Sequence, residues 1–159
     1  MITVSTKPSI LVVEEDATCR ADLVCEFVAA GMRAVPAEDA ASAMEALSQA
    51  PDDFSLVVTD LDVMPIGGFT LARAIHRRYA QLPVAIVTTR ATPTMGMRSL
   101  ARGITLLPRP VEPAKLVQAV QELSAPGRPR VPLAVLSETG TSFVPLRARS
   151  SPMPAAALR

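Results

Sequence analysis

A chain of 159 residues has room for one domain of ordinary size and an appendage. With 49% hydrophobic residues it can bury a core, and a net charge of +1 excludes polyanion binding driven by overall charge. The charge is divided unevenly: residues 1–123 carry 11 Lys+Arg against 14 Asp+Glu, a balance of −3, and residues 124–159 carry five Arg against one Glu, a balance of +4.

The opening MITVSTKPS has no basic region followed by a long apolar stretch, so no signal peptide is expected. No run approaches the ~18 apolar residues of a membrane span, and no membrane partner is expected. Ser9–Val13 (SILVV) reads as a β-branched strand ending at Glu14-Glu15-Asp16. Ala17–Ala30 reads as a helix with an apolar stripe of Leu23, Val24, Phe27 and Val28, stopped at Gly31. Its cysteines, Cys19 and Cys25, fall on different helix faces and are poorly placed for a disulfide. They read as reduced thiols of a cytoplasmic protein.

Arg33–Val35 is a short strand, and Asp39–Gln49 a helix with Asp39 or Ser42 available at its start and Ala43, Met44 and Leu47 on one face. Pro51-Asp52-Asp53 is a turn. Phe54–Thr59 is a strand leading into Asp60, followed by Met64-Pro65 and by Gly67-Gly68. Thr70–Ala80 is a helix with Leu71, Ala72, Ile75 and Tyr79 inward and Arg73, Arg77 and Arg78 outward; His76 reads as a surface residue.

Pro83–Thr88 is a fourth strand. Thr92-Pro93 starts a helix that ends at about Arg102, before Gly103. Met95 and Met97, like Met44, read as core or interface packing residues, not redox-active ones. Ile104–Leu107 is a fifth strand closed by Pro108-Arg109-Pro110, and Pro113–Leu123 is a last helix with Leu116, Val117, Val120 and Leu123 on one face.

Alternation of five strands and five helices predicts parallel pairing and a doubly wound, three-layer α/β sandwich. From Ser124 the composition turns to Pro, Ser, Arg and Ala and reads as a flexible tail, with Val131–Leu146 a weak candidate for a hairpin. The tail has a single Phe and no aromatic interleaving, so no nucleic-acid partner is expected.

In a parallel sheet all strand C-termini point one way, and open α/β sheets place their chemistry at that rim. Glu14, Glu15 and Asp16, then Asp60 and Asp62, then Thr88 and Thr89, and finally Arg109 would gather there. Clustered carboxylates repel unless a cation is present. Oxygen-only ligands favour Mg²⁺, and a hydroxyl and a guanidinium beside it suit the oxygens of a phosphoryl group.

Four segments carry a resemblance. ILVVEED, TDLDVMPIGGF, PVAIVT and the pair RSLARGI and LLPRPVEP resemble, in order and separation, the receiver domain of two-component response regulators over about Ser9–Leu123. The resemblance implies a flavodoxin-like five-stranded parallel sheet of order 2-1-3-4-5 with five helices. It implies that Asp60 accepts a phosphoryl group from a histidine kinase or histidine phosphotransfer protein. Glu15, Asp60 and the backbone carbonyl of Asp62 would hold Mg²⁺, with Glu14 reaching it through water. Thr88 would bond a phosphoryl oxygen, Arg109 would take the family's Lys position, and Arg109–Pro110 would be cis.

The output would be contact with a downstream protein target, since 36 residues after the domain leave no space for an effector domain. Some positions depart from the family pattern. Glu15 stands for Asp, Arg109 for Lys, Pro65 comes one residue late, Thr89 stands for a small residue and Leu106 for an aromatic. These changes motivate a second reading, a phosphorylation-independent pseudo-receiver. A third, a haloacid-dehalogenase-type phosphatase built on Asp60-Leu61-Asp62, lacks the later acidic motif, because no Asp follows Asp62.

Overall fold

The computed structural model describes residues 9–123 except residue 102. The strands are β1 (Ser9–Val13), β2 (Arg33–Ala37), β3 (Leu56–Asp60), β4 (Val84–Thr88) and β5 (Thr105–Pro108). The helices are α1 (Ala17–Ala29), α2 (Ala40–Gln49), α3 (Gly68–Arg78), α4 (Pro93–Ala101) and α5 (Pro113–Leu123). All strand pairs are parallel, in the order β2-β1-β3-β4-β5.

The strands read as unbroken apolar runs because helices cover both faces. Every residue of β1 and β4 is buried. Successive side chains point to opposite faces, and the core divides accordingly. Leu11, Val13, Val57 and Ile86 face Leu47 of α2 and Leu71 and Ile75 of α3, with Met95 of α4 packed alongside. Ile10, Val12, Val58 and Val87 face Leu23 and Phe27 of α1 and Val120 of α5.

Local chemistry sets the boundaries. Asp39 and Ser42 form a reciprocal capping box, each side chain accepting from the other's backbone N–H, so both candidate caps of α2 are used. Hydrogen bonds from Ser42 hold the Asp39 carboxyl below its ordinary value. Asp16 caps α1 by accepting from the Cys19 amide at 2.8 Å. Thr92 Oγ1 accepts from the Met95 amide at the start of α4.

Several expected details shift. β2 runs two residues further than expected, through Pro36, because pairing with β1 extends to Ala37. β3 starts at Leu56 and includes Asp60, which keeps its ladder place beside Val87. α3 begins at Gly68, since the glycines lead directly into the helix, and it ends at Arg78. Pro51–Asp53 is one turn of 3-10 helix.

Val28 is 55% exposed and lies outside the α1 stripe, and Met97 at 72% exposed is not a core residue. His76 is half-buried, less exposed than its neighbours Arg77 and Arg78. Cys19 and Cys25 are free thiols. The tail and the hairpin considered at Val131–Leu146 lie outside the described residues.

Candidate functional site

The parallel register brings the expected residues to one rim. Val13 pairs with Thr59 across β1 and β3, so Glu14 and Asp60, each one step on, leave adjacent strand ends about 5 Å apart in backbone spacing. Thr88 ends β4 and pairs with Pro108, and its carbonyl accepts from the Arg109 amide at 2.8 Å. Asp60, Thr88, Arg109 and Glu14 therefore come from four neighbouring strands in the order β1-β3-β4-β5.

Asp60 is half-buried. Its Oδ2 accepts from the Asp62 amide at 2.8 Å, and no described residue donates to Oδ1. Thr88 is 3% exposed, and its Oγ1 accepts from the Arg90 amide at 3.0 Å, leaving the hydroxyl proton available to a group on Asp60.

Glu14 is 7% exposed. Its Oε1 accepts from the Asp16 amide, and its Oε2 meets the Arg109 guanidinium at 2.8 Å. Because β3 and β4 separate β5 from β1 in the sheet, that ion pair spans the rim above the ends of both. Burial raises the Glu14 carboxyl above its ordinary value and the nearby Asp60 charge adds to the rise, while the Asp16 amide and Arg109 offset part of it.

A carboxyl raised in the folded state favours folding fully below its unfolded value, and that contribution is lost as pH rises through the folded value. At neutral pH the ionised Glu14 thus costs stability. Glu14→Gln should raise the melting temperature at pH 7.5, and the gain should shrink as pH falls toward the ordinary glutamate value of 4.5. Thermal melts across that range check the sign, and a gain that grows toward acid pH would contradict it.

The other expected acids lie differently. Glu15 is exposed. The Asp62 carboxylate is exposed and pairs with Arg90. Among the described residues no three His, Cys, Asp or Glu side chains converge as a metal-binding group. What the rim offers is a pair of mutually repelling carboxylates, Glu14 and Asp60. That set fits Mg²⁺, which commonly takes one or two carboxylates and keeps several waters.

Sequence reasoning missed the roles of three contributors. Arg20 donates to the carbonyls of Glu14 and Glu15, at 2.7 and 3.0 Å, and fixes the acidic loop from behind. Gly68 packs directly on the backbone of Asp60 and Leu61. Arg90 touches both loops at the mouth through its side chain and its amide. Its spacing held a signal: Arg90 stands two residues after Thr88, as Asp62 stands two after Asp60. The Arg109–Pro110 peptide is cis, as the resemblance implies, and so is Met64–Pro65.

The response regulator receiver domain model matches residues 10–121. The chain belongs to that family. Among solved structures, the receiver is similar to a response regulator receiver domain protein from Clostridium thermocellum at 18% identity and a TM-score of 0.69, covering 74% of this chain and 94% of that one. It is similar to the non-phosphorylated HemR receiver domain from Leptospira biflexa at 27% identity and a TM-score of 0.66, covering 77% and 98%. It is also similar to a response regulator receiver protein from Pseudomonas putida at 26% identity and a TM-score of 0.64, covering 75% and 99%. No curated protein matches the sequence.

Receiver domains are signalling modules, not enzymes, which removes the phosphatase reading. Receivers generally bind Mg²⁺ at an acidic phosphorylation site, and the family implies histidine kinases or phosphotransfer proteins as partners. Among the described residues no helix is long and apolar enough to cross a membrane.

Proposed function

We propose that this receiver accepts a phosphoryl group on Asp60 from a phosphohistidine of a partner kinase or phosphotransfer protein, and signals by contact with a downstream protein in the cytoplasm. The observation that carries the reading is Asp60 itself. It is half-buried at a strand end with one carboxylate oxygen held by the Asp62 amide and the other without a described donor, beside the Thr88 hydroxyl. Asp60 Oδ1 attacks phosphorus, the O–P bond forms and the P–N bond breaks. The imidazole nitrogen leaves with the electron pair and takes a proton from solvent.

Glu14 and Asp60, with Glu15 and the Asp62 carbonyl, would hold Mg²⁺, whose charge offsets that of the transferring oxygens when it is bound. The Thr88 hydroxyl donates to a phosphoryl oxygen. Arg109 keeps Glu14 in place against the repulsion of Asp60. Residues 1–123 form the signalling domain, with residues 124–159 appended.

Incubation with acetyl phosphate and Mg²⁺ should give an acid-labile adduct of one phosphoryl group. Asp60→Asn should abolish it while leaving the melting temperature near that of the parent. An adduct that persists in Asp60→Asn would refute the assignment. The pseudo-receiver reading draws support from the Arg109–Glu14 pair, which occupies the cation at the family's Lys position. It predicts no adduct in the parent and no response to beryllofluoride.

A further inference from the structure

Among the described residues, Arg20 grips the acidic loop by its carbonyls, and two further arginines at the rim pair with carboxylates in different ways. The Arg109 side chain is 21% exposed and bound to a Glu14 side chain that is 9% exposed. Taking it away leaves Glu14 buried beside Asp60 with no counter-ion. The Arg90 side chain is 66% exposed, and its partner Asp62 is 65% exposed. An exposed pair in water is worth little, and water takes over its hydrogen bonds when it opens. Arg90 is therefore the cation that can change partners at least cost.

Its position suits the task. The Asp62 amide binds Asp60 Oδ2, the Arg90 amide binds Thr88 Oγ1, and the two side chains meet across the mouth. These contacts link Asp60, Asp62, Arg90 and Thr88 in a chain at the mouth, beside the acceptor carboxylate. A phosphoryl group on Asp60 brings anionic oxygens next to that chain. A guanidinium already held there by a weak partner can bind them through two parallel N–H donors.

We infer that Arg90, not Arg109, is the cationic side chain that binds the phosphoryl oxygens on Asp60, exchanging its pairing with Asp62 for the phosphoryl group. The inference rests on the acceptor reading of Asp60 and refines it. Arg109 then remains the structural counter-ion of Glu14. Asp62 holds Arg90 in waiting, so neutralising Asp62 should favour the exchange.

The test is titration with beryllofluoride in saturating Mg²⁺, followed by the backbone amide resonances of Leu61 and Arg90. Relative to the parent, Arg90→Gln should weaken binding about tenfold, the loss of a charge-assisted contact at an exposed position. Arg90→Lys should recover part of that loss, and Asp62→Asn should bind more tightly than the parent. The difference between parent and Arg90→Gln should narrow as salt rises. The melting temperature of Arg90→Gln should match the parent's, which separates lost binding from lost fold. A parent that binds beryllofluoride alongside an Arg90→Gln variant that binds equally well overturns the inference and leaves the Asp60 reading standing. A parent that shows no response overturns both.

Discussion

Gly68→Ala should lower stability by about 3 kcal/mol and displace Asp60, a larger effect than its single methyl suggests. A Cβ at residue 68 would press into the carbonyl oxygen of Asp60 and lie 3.2 Å from Leu61 Cα and 3.3 Å from the Asp60 carbonyl carbon. All three are backbone atoms, so no side chain can swing aside. The Gly68 amide also donates to the Leu61 carbonyl at 2.8 Å. The first turn of α3 must back away from the end of β3, and the acceptor carboxylate shifts with it.

Urea denaturation measures the stability, and the acetyl phosphate reaction reports the site. Gly67→Ala is the useful contrast. Its Cβ would approach only the Leu61 carbonyl oxygen, at 3.7 Å, so the cost is that of placing a side chain at φ 74°, ψ 154°, a region essentially reserved for glycine, about 1–3 kcal/mol, with Asp60 left in place. Equal losses of the acetyl phosphate reaction in the two variants would sink the steric argument.

Arg109→Met should cost about 2 kcal/mol at neutral pH. Breaking a fully buried ion pair costs about 3–5 kcal/mol. The Arg109 side chain is one-fifth exposed, and Glu14 can take up a proton once its counter-ion is gone, so the figure is discounted. The sign with pH follows from the same group. Without Arg109 the Glu14 carboxyl rises further, so the deficit is largest at neutral and alkaline pH and fades as Glu14 protonates on acidification.

Glu14→Gln in the Arg109→Met background should restore most of the lost stability, because the stranded charge is removed. Urea melts of the two variants at pH 7.5 and pH 5 decide it. A deficit that is constant with pH and persists in the double variant would mean that Arg109 acts through packing, not charge.

The fold was largely legible because each strand is a short apolar run with a polar or Pro-Gly stop and each helix has an apolar stripe. Both patterns are local properties of the chain. The errors fall where neighbours decide. Arg33–Ala37 includes Pro36 and two exposed residues, and only its register against β1 makes it a full strand. Val28 and Val24 are indistinguishable by helical spacing, yet the sheet covers one and water reaches the other.

For the site, the residues Glu14, Asp60, Thr88 and Arg109 were visible as strand ends, and parallel topology brings them together. Partnerships among charges were not visible. That Arg109 binds Glu14, that Asp62 turns to Arg90, and that Arg20 grips the acidic loop by its carbonyls depend on side-chain reach across the rim, which spacing along the chain does not encode.

The short 3-10 turn at Pro51–Asp53 has a practical corollary. It joins α2 to the start of β3, whereas Asp60 ends that strand, so five residues of extended chain, about 17 Å, lie between them. A dye, spin label or resin linkage introduced at the exposed Asp52 would hang from the floor of the sheet, leaving the acidic mouth open to whatever docks there.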